Sequence, residues 1–176
     1  MKDITSTTFG LLIAYLLPGM AGLYSLRYFS TNIKDLFKAF TGTNANVGLF
    51  FLVIFLAITF GLIITALRWV VYECILCKSM SLTNEDYEAI GINKEKLIAF
   101  RAATDEIYRY HQFFGGMTFA MPLFVAGWFI RNYNSICDAR ILCYSVGFIA
   151  IWIVLVFAAI VSYKRYVTHS KSIMGG

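Results

Sequence analysis

Four long apolar stretches constrain this chain more than any other feature of its sequence. They cover residues 9–26, 47–67, 113–130 and 141–163, and none contains Asp, Glu, Lys, Arg or His. A helix needs about 20 apolar residues to cross a ~30 Å hydrocarbon core. Strands of a β-barrel would alternate apolar and polar residues, which these stretches do not do. The sequence therefore predicts an all-α, polytopic membrane protein with four transmembrane helices.

The composition supports a single membrane domain over residues 1–176. Only 14% of the 176 residues are charged, against about 25% in soluble domains. A secretory signal peptide is the alternative for the first stretch, but the apolar run is long for one and no small-x-small cleavage site follows it. The domain includes residues 68–112, which are predicted to form a cytoplasmic helical stalk and loop.

Lysine and arginine are distributed unevenly between the two sides of the predicted bundle. With both ends of the chain inside, the inner side holds ten of these residues and the outer side five. The excess of basic residues on the inner side predicts a multi-pass protein of the cell inner membrane with cytoplasmic N- and C-termini. Anionic headgroups account for the net charge of +5, so the lipid bilayer, and no nucleic acid, is the expected partner.

The first outer loop contains an amphipathic pattern over residues 31–42. We expect a short helix that Thr31 or Asn32 caps and that Gly42 ends in the left-handed conformation. Such a helix either lies in the membrane interface or packs over the outer mouth of the bundle. Its apolar residues, at helical spacing, are Ile33, Leu36, Phe37 and Phe40.

Residues 68–112 are the largest part of the chain outside the predicted spans. No helix breaker follows Arg68, so the second span is expected to continue inward, and Asn93 can cap a helix that runs into the third span. That helix would have roughly 38 residues and be about 57 Å long. A shorter helix is predicted within residues 82–91. The second and third helices therefore project as a stalk.

The stalk helix has an apolar edge and a charged face. The apolar edge needs a partner, either the inner extension of the second span or another protomer. The charged face is the predicted contact for a soluble cytoplasmic protein. The candidate residues are Arg101, Asp105 and Arg109 on the stalk helix and Glu88 in the shorter helix before it.

Small residues recur at helical spacing in each span and predict close helix packing or a homo-oligomer. Pro18 and Pro122 are expected to kink their helices. Trp152 lies in the middle of the fourth span, where its indole predicts packing inside a bundle or an oligomer interface. The other packing candidates are Gly10, Ala14, Pro18 and Gly22, Ala57, Gly61 and Thr65, and Gly116 and Ala120.

Aromatic residues near the ends of the spans are interpreted as two interfacial belts. The outer belt contains Tyr24, Tyr28, Trp128 and Tyr133, and the inner belt contains Trp69, Tyr72, Tyr108, Tyr110, Tyr163 and Tyr166.

The sequence lacks the motifs of common catalytic sites. It has no Walker loop and no GxGxxG, HExxH or GxSxG motif, so neither enzyme activity nor a cofactor is predicted. Cys74, Cys77, His111 and His169 fall on the inner side and could form a tetrahedral zinc site. Their spacing favours ordinary buried cysteines and interfacial histidines instead, so no metal is expected. A disulfide between Cys137 and Cys143 is left open.

Two segments of the sequence are similar to segments of known proteins. GLLIAYLLPGMAGLYSL, at residues 10–26, and DEIYRYHQFFGGM, at residues 105–117, resemble segments of small four-span bacterial inner-membrane proteins of uncharacterised function. Some small bacterial proteins of this kind are membrane components of phage-defence systems. The resemblance therefore implies a bacterial inner-membrane protein and, by analogy, a role in antiviral defence.

Two functions fit the sequence. The first is a non-enzymatic homo-oligomer that forms a pore, channel or bistable membrane effector, indicated by the small residues on each span. The second is a membrane anchor or sensor subunit that docks a soluble partner through its cytoplasmic stalk.

Overall fold

A computed structural model describes residues 10, 12–42, 46–76, 82–84, 88, 93–132 and 139–175. Over these residues the protein is all-α and has no strand. Its five helices in this part of the chain are α1 (Leu12–Leu26), α2 (Thr31–Thr41), α3 (Val47–Arg68, continued by Trp69–Leu76), α4 (Lys94–Arg131) and α5 (Ala139–Gly175).

Three of the described helices are long and apolar enough to cross a membrane. They are α3 over Val47–Tyr72, α4 over Lys94–Arg131 and α5 over Arg140–Ile173. The prediction of a helical protein with membrane-spanning helices is confirmed to this extent. The helix α1 is apolar but shorter, and residues 9 and 11 of the first predicted span lie outside the described part of the chain.

Three segments of these helices have π-helical backbone. They are Leu12–Leu16 at the start of α1, Trp69–Leu76 at the end of α3 and Thr104–Tyr108 within α4. In α1 the π segment ends where Pro18 enters the first turn of the following α-helical segment. Proline has no backbone N–H, so it cannot complete the α-helical bond to the preceding turn. Pro122 stands inside the continuous helix α4.

The amphipathic helix α2 forms where the sequence predicts it, but its ends differ from the prediction. Ser30 is the N-cap residue and makes no capping bond with its side chain. Gly42 has extended backbone, with φ −91°, so it does not end α2 in the left-handed conformation. Phe37 is buried, and its ring lies 5.3 Å from that of Tyr24 in an edge-to-face arrangement. Of the two alternatives, packing of α2 over the bundle is the one that these contacts favour.

The helix α4 is the centre of the bundle and packs against α1, α3 and α5. Helix α1 runs parallel to α4, because Gly116 faces Pro18 and Gly127 faces Tyr28. Helix α5 runs antiparallel to α4. Aromatic contacts mark this antiparallel pairing at both ends, from Trp128 with Tyr144 to Phe100 with Tyr166.

The stalk helix has a packing partner in α5 that the sequence does not predict. Asn93 caps α4 by accepting a bond from the Glu95 backbone N–H, and α4 runs unbroken for 38 residues, as predicted. The inward continuation of α3 is present to Leu76, as predicted, but among the described residues the stalk helix packs its apolar edge on the C-terminal part of α5. Three buried residues of α5 pack on three of α4 there: Tyr163, Tyr166 and Val167 on Phe100, Ile107 and Tyr108.

The predicted fourth span ends at residue 163, whereas α5 continues to Gly175. The prediction placed its end at the charges of Lys164 and Arg165, but both side chains are exposed and leave the buried face of the helix uninterrupted. That face continues at helical spacing through Tyr166, Val167 and Ser170, all of them buried. The apolar edge of the stalk helix therefore finds its partner within the same chain.

Candidate functional site

An arginine and a histidine are buried where the bundle meets the stalk. Arg68 ends the α-helical part of α3 and is 2% exposed, and His111 of α4 is 0% exposed. Polar groups enclosed in an apolar surrounding are costly unless they are bonded. Their neighbours therefore decide what this region of the molecule can do.

Arg68 is held by Tyr108 and Gly115 of α4. Its Nη2 donates to the Tyr108 hydroxyl at 3.3 Å, and the guanidinium carbon lies 5.6 Å from the centre of the same ring. The aliphatic stem crosses Gly115, where a Cβ atom would lie 2.7 Å from Cδ of Arg68. Glycine at this position therefore allows the arginine to lie flat against α4.

His111 connects α4 to α5. Its Nδ1 lies 2.8 Å from the carbonyl oxygen of Ala159, so Nδ1 carries the proton and donates it. Its Nε2 has no hydrogen-bond partner among the residues that the structure describes. Three tyrosine rings enclose the imidazole, with centre-to-centre distances of 5.6 Å to Tyr72, 5.7 Å to Tyr108 and 4.9 Å to Tyr163.

A chain of hydrogen bonds continues from this point across the bundle. The Tyr72 hydroxyl donates to Oγ1 of Thr118 at 3.1 Å, and Thr118 donates onward to the carbonyl oxygen of Gly115 at 2.7 Å. Nε1 of Trp152 donates to the Thr118 carbonyl oxygen at 2.9 Å. We call Arg68, Tyr72, Tyr108, His111 and Thr118 the junction cluster, because together they connect α3, α4 and α5.

Two tyrosines of the junction cluster come from π-helical segments. Tyr72 lies within Trp69–Leu76, and Tyr108 is the last residue of Thr104–Tyr108. Segments of this kind are rare and often lie at functional sites.

The prediction of an inner aromatic belt is wrong for three of its members. Tyr72, Tyr163 and Tyr166 are buried within the protein.

The zinc candidates do not come together among the described residues. No group of three potential metal ligands forms there. His169 is exposed and lies ten residues beyond Ala159, the partner of His111, which is about 15 Å along a helix. Cys74 is an exposed thiol. Cys77 and Cys137 lie outside the described residues, and Cys143 is exposed.

The small residues that the sequence selects make contacts within this one chain. Ala14, Gly22, Ala57, Gly61 and Ala120 are buried, and Thr65 is half-buried. A Cβ atom at Gly116 would lie 2.9 Å from the Pro18 ring, and one at Gly22 would lie 2.5 Å from Phe60.

Gly19, which is not among the packing candidates from the sequence, lies at a close approach of α1 and α3. A Cβ atom at Gly19 would lie 2.7 Å from the backbone nitrogen of Gly61 and closer still to the carbonyl oxygen of Ala57. A Cβ atom at Gly61 would likewise collide with the carbonyl oxygen of Tyr15. Gly19 lies three residues before Gly22, and this spacing is the signal that could have identified it.

The predicted partner-binding residues divide into two groups. Glu88, Arg101 and Asp105 are exposed. Arg109 differs, because its side chain is only 12% exposed, pairs with Asp105 and lies against Gly10. The packing candidate Gly10 therefore faces this arginine side chain.

A polar groove follows the stalk between α4 and α5. It has a volume of about 630 Å³, and Glu106 lies on its α4 side. The α5 side is basic and carries no carboxylate, since residues 139–175 contain neither Asp nor Glu. We call this the stalk groove, and its polar α5 residues are Lys164, Arg165, Thr168, His169 and Ser172.

Comparisons of the chain with protein-family models, with curated proteins and with solved structures find no match.

Proposed function

We propose that this protein is a non-enzymatic membrane subunit that docks a soluble protein through its α4–α5 stalk. In this proposal four helices, α1, α3, α4 and α5, cross the inner membrane and both termini are cytoplasmic. The stalk is then cytoplasmic as well. The observation that carries the proposal is that α4 and α5 run unbroken from the apolar bundle into a charged pair of helices.

The stalk groove supplies the chemistry of recognition. Lys164, Arg165 and His169 line one wall and form no ion pair with a described residue. Basic side chains without bound carboxylates attract a partner that presents acidic residues. We therefore expect the partner to carry Asp or Glu where it enters the groove.

The junction cluster gives this subunit a means of responding to its membrane environment. His111 and Arg68 connect three helices at the base of the stalk. A change in the packing of the bundle would therefore reach α4 and α5 where they leave it. This is why we propose a sensor as well as an anchor.

Charge reversal on the groove tests the proposal. The double variant Lys164→Glu and Arg165→Glu should lose a protein that co-purifies from native membranes after cross-linking. The control is Lys38→Glu, which reverses an exposed charge on α2 at the far end of the bundle. An unchanged set of co-purifying proteins in the groove variant, or the same loss in the control, would show that docking through this groove is wrong.

A homo-oligomer is the second candidate, and the exposed face of α5 favours it. A Cβ atom at Gly147 would meet nothing within 4 Å, and Trp152 is exposed although its indole bonds to α4. This face could contact a second copy and contribute to a pore or a bistable assembly. Light scattering after size exclusion in detergent tests it. A single protomer in the micelle, with no conductance in planar bilayers, would rule it out.

A further inference from the structure

A basic cavity lies at the end of the bundle opposite the stalk. It has a volume of about 310 Å³ and is formed where α1 and α4 end and α2 begins. Three cations line it, Arg27, Lys34 and Arg131, and no carboxylate is among its lining residues. Arg27 and Arg131 are 104 positions apart in the sequence, so only the fold brings their charges together.

Arg27 is fixed in place before any ligand arrives. Its guanidinium carbon lies 3.6 Å from the ring centre of Tyr24 and 4.9 Å from that of Tyr28, and its Nη2 donates to the Tyr28 hydroxyl at 3.0 Å. Cation–π contacts of this kind orient the guanidinium plane. Its Nε is buried and has no partner within the described part of the chain.

The start of α2 adds further donors to the same cavity. Ser30 and Thr31 line it, and the Ser30 side chain makes no capping bond. The first N–H groups of a helix have no partner within the helix and carry partial positive charge. Lys34 lies one turn later on α2, so its ammonium group and the helix start face the same space.

We infer that this cavity binds a phosphate group, carried by the headgroup of an anionic phospholipid. Arginine and lysine donors with an open helix start are the groups that bind phosphate in proteins. The position favours a lipid as its source. The cavity lies at the ends of apolar helices, and its lining includes the exposed side chains of Phe29 and Ile130. Acyl chains can descend beside them into the hydrocarbon core.

Binding of defined lipids to the purified full chain in detergent tests this assignment. The probes are phosphatidylglycerol, diacylglycerol with the same acyl chains and inorganic phosphate. Native mass spectrometry counts the bound lipids and gives their dissociation constants. We expect saturable binding of phosphatidylglycerol, and binding of diacylglycerol at least about tenfold weaker, because diacylglycerol lacks the phosphate.

Variants at the rim of the cavity separate the site from general membrane affinity. The double variant Lys34→Gln and Arg131→Gln should bind phosphatidylglycerol about tenfold more weakly or worse. Both side chains are exposed, and the single variant Lys34→Gln serves if the double variant does not fold. The control is Lys38→Gln, which removes a charge from α2 outside the cavity. Lys38 pairs with Asp35 at 3.5 Å.

The three probes also identify the source of the phosphate. Phosphatidylglycerol binding that inorganic phosphate does not displace, and that depends on the rim residues, supports the lipid. Binding of inorganic phosphate with the same dependence, without a preference for the lipid, overturns the lipid assignment. Equal affinity in parent, rim variant and Lys38→Gln, or equal binding of diacylglycerol, overturns the phosphate site itself.

Discussion

Gly19→Ala is expected to destabilise the bundle by loosening the crossing of α1 and α3. The new Cβ atom would lie 2.7 Å from the backbone nitrogen of Gly61 and would overlap the carbonyl oxygen of Ala57. Both obstacles are backbone atoms, so no side chain can rotate away and the helices must separate. Overpacking of this kind costs about 1–3 kcal/mol, and the absence of a movable neighbour places Gly19 at the upper end of that range.

The matched control is Gly147→Ala, whose Cβ atom would meet nothing within 4 Å. Alanine in place of glycine gains up to about 1 kcal/mol of helix propensity in both variants. The propensity gain therefore cancels when the two variants are compared. Their unfolding free energies should differ by the steric cost at Gly19, about 2–3 kcal/mol. For a chain of this size the difference corresponds to about 4–12 °C in Tm. Thermal unfolding in one detergent measures it, and equal Tm values for the two variants would refute the close approach at Gly19.

His111→Phe removes the bond to the α5 backbone and should lower the unfolding free energy by about 1–3 kcal/mol. The control His169→Phe changes an exposed side chain and should have no effect. Equal losses for the two variants in detergent unfolding would contradict the role of His111. Tyr72→Phe removes the hydroxyl bond to α4 and should cost about 0.5–1.5 kcal/mol, and an unchanged unfolding curve would show that this bond does not stabilise the fold. For topology, a membrane-impermeant maleimide on intact cells should label Lys38→Cys but not Lys171→Cys in a cysteine-free background, because the distribution of Lys and Arg predicts that residue 171 lies in the cytoplasm. The reverse labelling pattern would place the stalk outside.

The parts of the fold that depend on local pattern could be predicted from the sequence. Asn93 caps α4 and no glycine or proline follows until Gly115, so the continuous helix from the stalk into the third span was predictable. The amphipathic spacing of α2 likewise located that helix. The end of α5 was not predictable from hydropathy alone, because Lys164 and Arg165 end an apolar run without ending the helix.

The junction cluster and the basic cavity could not be predicted, because their members are distant in sequence. In the sequence Arg68 follows an apolar span, a position that is typical of an interfacial residue. In the structure it bonds to Tyr108, which lies 40 residues later. His111 was selected as a possible metal ligand, but its actual partner is the backbone of Ala159, which has no residue-specific signal. Burial of a polar side chain is a tertiary property, and a single sequence records it only through residues such as Gly115 that make room for it.

The junction cluster has a consequence for how the chain is made. Arg68 leaves the ribosome before its partner Tyr108, and the 40 residues between them take about 2–8 s to translate at 5–20 residues per second. Until Tyr108 has been made, burial of the guanidinium lacks this bond and is costly. Likewise, His111 is made before its acceptor Ala159, which lies 48 residues later. The junction cluster is therefore completed only after α5 has been made, and a chain cut short before α5 would leave Nδ1 of His111 without the Ala159 carbonyl oxygen.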